Sequence, residues 1–467
     1  MESPAPSGAG VPVSSGADGA SSQGPAAEDV RGSLAYSAGD GGSSPLLRVQ
    51  ALEEDLLTLH AEVEAGASDV GTSVETFLDA TGFWDTPHRA RALPQTVRLV
   101  CEGLAPQVEY IASSSRSATD RELQLGGTTA ARYLRQLRHA GQRARKADAG
   151  WVWLDRDSSS AVAAGTEAAA RRAVGAVLSS TEWVAEADPR GRARRACVLA
   201  RPPGHHNGCD ERIEALERHA WRHAAHGGCV LNETAVAVRH LRARAPAQFR
   251  RFVVVDVDVH FGDGTAWHFY EDPDVLCVSV HVDQSDLHVF PYLKGKAEER
   301  GSGPGRGATL NLPLAEGMGD AEAMRLLNDY ALPAVRKHNP DLLFLSLGFD
   351  GLQGDPSGAG IRYTKAFFEH AVAVCCAVCP RSVCTLQGGY LPEAMADAVA
   401  AVLRVLAGRL PAQPVSAELA EGFEAFSAEL GRTLQEPTRW WSVGRSFDYV
   451  PEGFDCEEEE EEEEEEE

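Results

Sequence analysis

The 467-residue sequence has no apolar run of about 18 residues, the length a helix needs to cross a bilayer. Nor does it have a positively charged start followed by an apolar stretch. Met1-Glu-Ser-Pro-Ala-Pro-Ser-Gly opens on small, polar and acidic residues, unlike a signal peptide, and arginines are too few there for a transit peptide. A disulfide framework is equally unsupported, because ten cysteines are spread along a long chain. Cys375, Cys376, Cys379 and Cys384 have no second Cys-x-x-Cys to complete a zinc site, and they fall in apolar segments where thiols pack as small hydrophobes. A reducing compartment, nucleus or cytoplasm, is the expectation, with no membrane association.

An excess of basic residues is missing too. The formal net charge is −25, of which the unbroken run Glu457–Glu467 supplies 11 negative charges and the rest of the chain 14. That balance argues against direct nucleic-acid binding and favours basic protein partners or simple solubility. Arg143-Ala-Arg-Lys146 and Arg190–Arg195 read as solvated loops rather than import signals. Residues 1–45 are Gly, Ser, Ala and Pro with few large apolar side chains, too little to offset the entropy of ordering, so they read as disordered. Leucines at helical spacing, Leu52, Leu56 and Leu57, predict an amphipathic helix from Leu46 to about Val63 within a helical extension over 46–89. The main domain is expected over 90–412, a C-terminal extension over 413–455 and an acidic tail over 456–467.

Within the main domain the first hundred residues carry helical patterns, around Val97–Val100, Ala131–Leu137 and Glu167–Val177. Short continuous apolar runs then alternate with helix-length segments: Ala196–Ala200, Phe252–Asp256, Val275–His281, Leu342–Leu347 and Val383–Leu386. Runs this largely apolar, separated by helices, predict an α/β fold with a central parallel sheet and helices on both faces.

Polar residues collect just after those runs, at the strand ends where open parallel sheets bind ligands. Asp258 and His260, two apart on one strand exit, face the same way, and Asp350 arrives from another strand. Two carboxylates and one imidazole hold a divalent metal and leave coordination positions open, as a catalytic site needs; Asp-x-Asp-x-His alone is often turn chemistry. His205-His206 follow the rigid Pro202-Pro203-Gly204 turn, and two further carboxylates, Asp256 and Asp263, are available to fix tautomers and separate the two imidazole pKa values. Tyr390, after Gly388-Gly389, can donate to a carbonyl oxygen as it becomes an oxyanion.

Arg201–His206, Gly227–Ala235, Asp256–Gly264, Ser279–His281, Asn311–Pro313, Gly348–Pro356 and Leu386–Tyr390 together resemble the histone deacetylase family, class II-like, which includes acetylpolyamine amidohydrolases. The resemblance spans roughly residues 90–410 and implies the arginase-deacetylase fold. It implies one Zn2+ per chain on Asp258, His260 and Asp350, His206 as general base paired with Asp263, His205 held by Asp256, and Tyr390 polarising the acyl carbonyl. It also implies a monovalent cation, usually K+, at Asp256, Asp258, His260, Ser279 and Val280. The implied substrates are acyl-lysine proteins, histones by default. The glutamate run at 457–467 reads either as a disordered, solubilising end or as a contact for basic histone tails.

The chain departs from the family at the substrate tunnel. Phe290 matches one of two aromatic walls, but Gly227-Gly228-Cys229 stands where the family reads Gly-Phe-Cys, and Ser357 replaces an apolar residue or the Glu of polyamine-selective relatives. A wider, wetter tunnel is expected, suited to a bulkier acyl group. The insertion 207–226 reads as a helix at the mouth. Its His219 and His223 lie one turn apart on what reads as a solvated face rather than a second metal site, and Trp221 is the candidate for the missing wall. Two competing functions follow: an amidohydrolase for acetylpolyamines or other small amides, and an acyl-lysine reader or scaffold without turnover.

Overall fold

The computed structural model describes residues 45–52, 87–113, 116–148, 150–154, 160–188, 190–210, 225–284, 290–291, 294–409 and 423–435. Eight strands form one sheet in the order β2-β1-β5-β10-β9-β6-β7-β8, and every neighbouring pair is parallel. They are β1 (Leu47–Ala51), β2 (Val108–Ile111), β5 (Arg195–Leu199), β6 (Phe252–Asp256), β7 (Val275–Val282), β8 (Thr309–Leu314), β9 (Leu342–Leu347) and β10 (Ser382–Leu386). A separate antiparallel hairpin joins β3 (Trp151–Trp153) to β4 (Ala161–Ala163).

The apolar runs are continuous because each strand is covered on both sides. In β9, Leu343, Leu345 and Leu347 enter one core cluster while Leu342 and Phe344 enter the other, the two-residue alternation of a pleated strand. The first cluster is closed by helices Lys365–Val378, Pro392–Leu406 and Phe423–Gln435, the second by Ala131–Ala144, Thr166–Ala185 and Glu233–Arg244. The result is the three-layer α/β architecture expected from the pattern.

One expectation fails. Leu47–Ala51, read as the start of an amphipathic helix, is a strand paired with both β2 and β5. Leu47, Val49 and Ala51 are buried in one cluster, and period-two burial of this kind is a strand signal that the more widely spaced leucines obscured. Leu56 and Leu57 lie outside the described residues, as do residues 1–44, the insertion segment 211–224 with His219, Trp221 and His223, and the acidic tail. The segment taken as a C-terminal extension contributes Phe423 and Leu430 to the main core.

Candidate active site

The four strands that end in the expected chemistry, β5, β10, β9 and β6, are consecutive in the middle of the sheet. Their register keeps the exits level: Leu347 is opposite Leu386, and Asp256 is opposite both Ser346 and Ser279. Beyond the strand ends, Gln387 N donates to Leu347 O at 2.9 Å and Phe349 N to Gly388 O at 3.0 Å, so the loops stay laced together past the sheet.

Asp258, His260 and Asp350 converge, one ligating atom of each within 4.8 Å of the others. His260 Nδ1 lies 3.0 Å from Asp350 Oδ2 and 3.2 Å from Asp258 Oδ1. Backbone donors orient both carboxylates: Val259 N to Asp350 Oδ1 at 3.1 Å, His260 N to Asp258 Oδ1 at 2.9 Å and Gly388 N to Asp258 Oδ2 at 2.8 Å. A Cβ on Gly388 would collide with Asp350 and Asp258, so only glycine lets this loop press against the cluster. Burial raises the Asp350 pKa and the Asp258 charge raises it further. Two buried carboxylates aimed at one imidazole nitrogen are the donor set and charge that a divalent cation would satisfy.

Beside this cluster the two histidine rings lie 3.9 Å apart, each with its own carboxylate. His205 Nδ1 is 3.0 Å from Asp256 Oδ2, and His206 Nδ1 is 2.8 Å from Asp263 Oδ1. Their basicities diverge. Burial alone would depress His205, but the Asp258 and Asp256 charges outweigh it and lift the pKa to about 9. Burial, then the His205 charge beside it, pushes His206 down to about 3. At neutral pH His205 is therefore an imidazolium and His206 a neutral imidazole, a pair of the kind that divides acid and base work.

Gln387 fastens the histidine turn to β10. Its Oε1 accepts from Gly204 N at 3.2 Å and His205 N at 3.3 Å, and its Nε2 donates to Glu233 Oε1 at 2.6 Å. Glu233 is buried, its Oε2 has no partner among the described residues, and burial lifts its pKa to about 7. Below about pH 4.5 the carboxyl is protonated in folded and unfolded chains alike; between 4.5 and 7 only the unfolded chain ionises, so stability falls as pH rises, then levels off above 7. Glu233→Gln, neutral throughout, is expected to add on the order of 3 kcal/mol at pH 8 and almost nothing at pH 4. Thermal melts of both proteins at the two pH values check this.

The remaining expected residues lie around this centre. Tyr390 is anchored through its backbone, its N–H donating to Asp355 Oδ2 at 2.6 Å. Ser357 turns its hydroxyl back onto the same carboxylate, Oγ to Asp355 Oδ1 at 2.9 Å, so it braces the tyrosine loop. Asp256 and Ser279 border a small internal cavity together with Phe261, Thr265 and Cys277, and Val280 follows on β7. Phe290 packs edge-on to His206, with ring centres 4.9 Å apart. Gly227 and Gly228 adopt left-handed φ of +61° and +72°, and a Cβ on Gly227 would meet His206 at 2.7 Å and Phe290 at 3.0 Å. Glycine at these positions is thus a backbone requirement.

Sequence reasoning missed four contributors. Gln387 lay inside a quoted motif, Leu386–Tyr390, but was read only as a spacer, and Asp355 lay inside Gly348–Pro356 unassigned. His226, adjoining Gly227, sets its ring 4.8 Å from Phe290 and 5.4 Å from His206. Lys294 is buried and its Nζ lies 2.6 Å from Asp263 Oδ2, a contact that no sequence spacing announces.

The histone deacetylase domain profile matches residues 85–406. Histone deacetylase HDA1 of Saccharomyces cerevisiae is 30% identical over 284 residues, 60% of this chain and 37% of that protein. Polyamine deacetylase HDAC10 of Homo sapiens is 34% identical over 278 residues, 59% of this chain and 38% of its own. The chain thus spans well under half the length of these relatives. A crystal structure of the HDA15 HD domain superposes with a TM-score of 0.67 at 25% identity, covering 86% of this chain and 99% of that one, and the arginase-deacetylase fold is common to both.

Proposed function

Because the chain belongs to the histone deacetylase family, we propose that it is a zinc-dependent deacylase that hydrolyses N-acyl-lysine side-chain amides of histones or other proteins, in the nucleus or cytoplasm. The observation that carries this reading is the pair of buried histidines, each bonded to its own carboxylate, lying beside the Asp258, His260 and Asp350 cluster. Those three residues would hold the zinc, which when bound supplies a Lewis acid for the acyl carbonyl and lowers the pKa of water.

The protein groups do the rest. His206, neutral at working pH, takes the proton from the attacking water while Asp263 fixes its tautomer through Nδ1. His205, an imidazolium held by Asp256, stabilises negative charge nearby and leaves His206 to pass its proton on to the departing lysine amine. Tyr390 donates to the carbonyl oxygen as charge builds on it. Phe290 stacks on the lysine methylenes, and Gly228 offers no side chain to stack against them in its turn. Asp256, Asp258, His260, Ser279 and Val280 would hold a K+ ion.

The second reading, an acetylpolyamine or other small-amide hydrolase, is favoured by the likeness to a polyamine deacetylase. Against it, position 357 is a serine bonded to Asp355 rather than a free carboxylate. Acetyl-, trifluoroacetyl- and longer acyl-lysine peptides and N-acetylated polyamines, assayed with zinc-loaded enzyme beside Tyr390→Phe, separate the readings. Peptide turnover is expected, about 100- to 1000-fold lower in the variant. Turnover of polyamines alone supports the second reading. No turnover on any substrate, with zinc bound, makes the protein an acyl-lysine reader or scaffold.

A further inference from the structure

Asp263 is shared. It opens the helix Asp263–Phe269, and its Oδ1 accepts from His206 Nδ1 at 2.8 Å. Its Oδ2 accepts from His226 Nε2 at 2.9 Å and from Lys294 Nζ at 2.6 Å. His206, Asp263 and Lys294 are buried, the side chains of Lys294 and Asp263 being 4% and 5% exposed, and His226 is partly so. His206, His226 and Asp263 by themselves are close enough to chelate an ion. The Lys294 ammonium already lies against that carboxylate, so a cation of the protein's own meets the need.

The terminal torsion of an aspartate is broad, and a carboxylate with one imidazole partner can swing and carry the ring with it. Three donors divided between two oxygens fix the carboxylate plane, and the plane fixes the imidazole whose other nitrogen faces the reacting centre. We infer that Lys294 is a positioning residue that acts through Asp263 to hold the His206 ring in its working orientation, with His226 closing the remaining side of the carboxylate. This rests on the proposed role of His206 as base. The arrangement is tied to this chain's own sequence: His226 directly precedes the Gly227-Gly228 departure, and its ring packs against Phe290.

Lys294→Met keeps the length of the side chain and removes the charge, Lys294→Arg keeps the charge, and Lys294→Gln keeps a donor without charge should the methionine variant fail to fold. Two measurements on the full-length, zinc-loaded chain decide the matter. The first is the downfield proton signal of the His206 Nδ1–H, identified by its loss in His206→Gln. The second is kcat and KM on the best substrate of the panel.

In the methionine or glutamine variant the signal is expected to move or broaden into solvent exchange. There kcat should fall about 10- to 100-fold with KM within about twofold and one zinc retained, and arginine should recover both signal and rate. An unchanged signal with unchanged kcat overturns the inference, as does a change confined to KM. If the wild-type chain hydrolyses nothing, the proposed function fails while the proton signal still decides whether Lys294 orients His206.

Discussion

Asp350→Asn is expected to lose zinc and activity together. In the wild-type chain Asp350 Oδ1 accepts from Val259 N, a bond that the asparagine oxygen can keep. The other oxygen, 3.0 Å from His260 Nδ1, becomes an NH2 group that cannot ligate a cation. Loss of a direct ligand should weaken zinc by at least the roughly 100-fold that removing an outer partner costs, and turnover should fall about 1000-fold or more.

Melting both proteins with chelator and with excess zinc tests the loss of the metal. Zinc should stabilise the wild type by mass action, about 2.7 kcal/mol at a hundred times its Kd, and leave the variant where it was. A variant that binds one zinc as tightly as the wild type would remove Asp350 from the metal centre.

The sequence made the sheet legible where burial was two-sided. Runs such as Leu342–Leu347, apolar but for the buried Ser346, reflect helices covering both faces, and their limits match the observed strands closely. β1 escaped because Arg48 and Gln50 interrupt it and the leucines that follow mimic a helical period. Gln50 is buried nonetheless, with Nε2 donating to Ser113 O at 3.2 Å, a compensation that only the folded neighbourhood supplies. In the site, residues whose chemistry is intrinsic, the aspartates, histidines and the tyrosine, stood out by type and spacing. Residues that act by holding others did not. Gln387, His226 and Lys294 meet their partners across 183, 37 and 31 positions, and such contacts carry no local periodicity. The turn at Gly227-Gly228 shows the same limit, since its left-handed backbone is visible only in three dimensions.

His206→Gln should be the most damaging change that leaves zinc in place. The amide can still donate toward Asp263 but offers no basic nitrogen to the reacting centre, so kcat/KM is expected to fall about 100- to 10000-fold. The pH dependence identifies which histidine does what. With its pKa pushed down to about 3 by burial and by the His205 charge, His206 stays neutral across the working range and sets no acid limb above pH 5. His205 has a raised pKa of about 9, so its proton is present below that pH and lost above it. A divalent cation between Asp258 and Asp350 offsets part of the charge that holds that proton, moving the value down. The alkaline limb of kcat/KM should therefore fall at or below pH 9, and it should disappear in His205→Asn, whose residual rate is flat where the wild type declines. An alkaline limb that survives in His205→Asn would assign it to another group, and full activity in His206→Gln would take the base role away from His206.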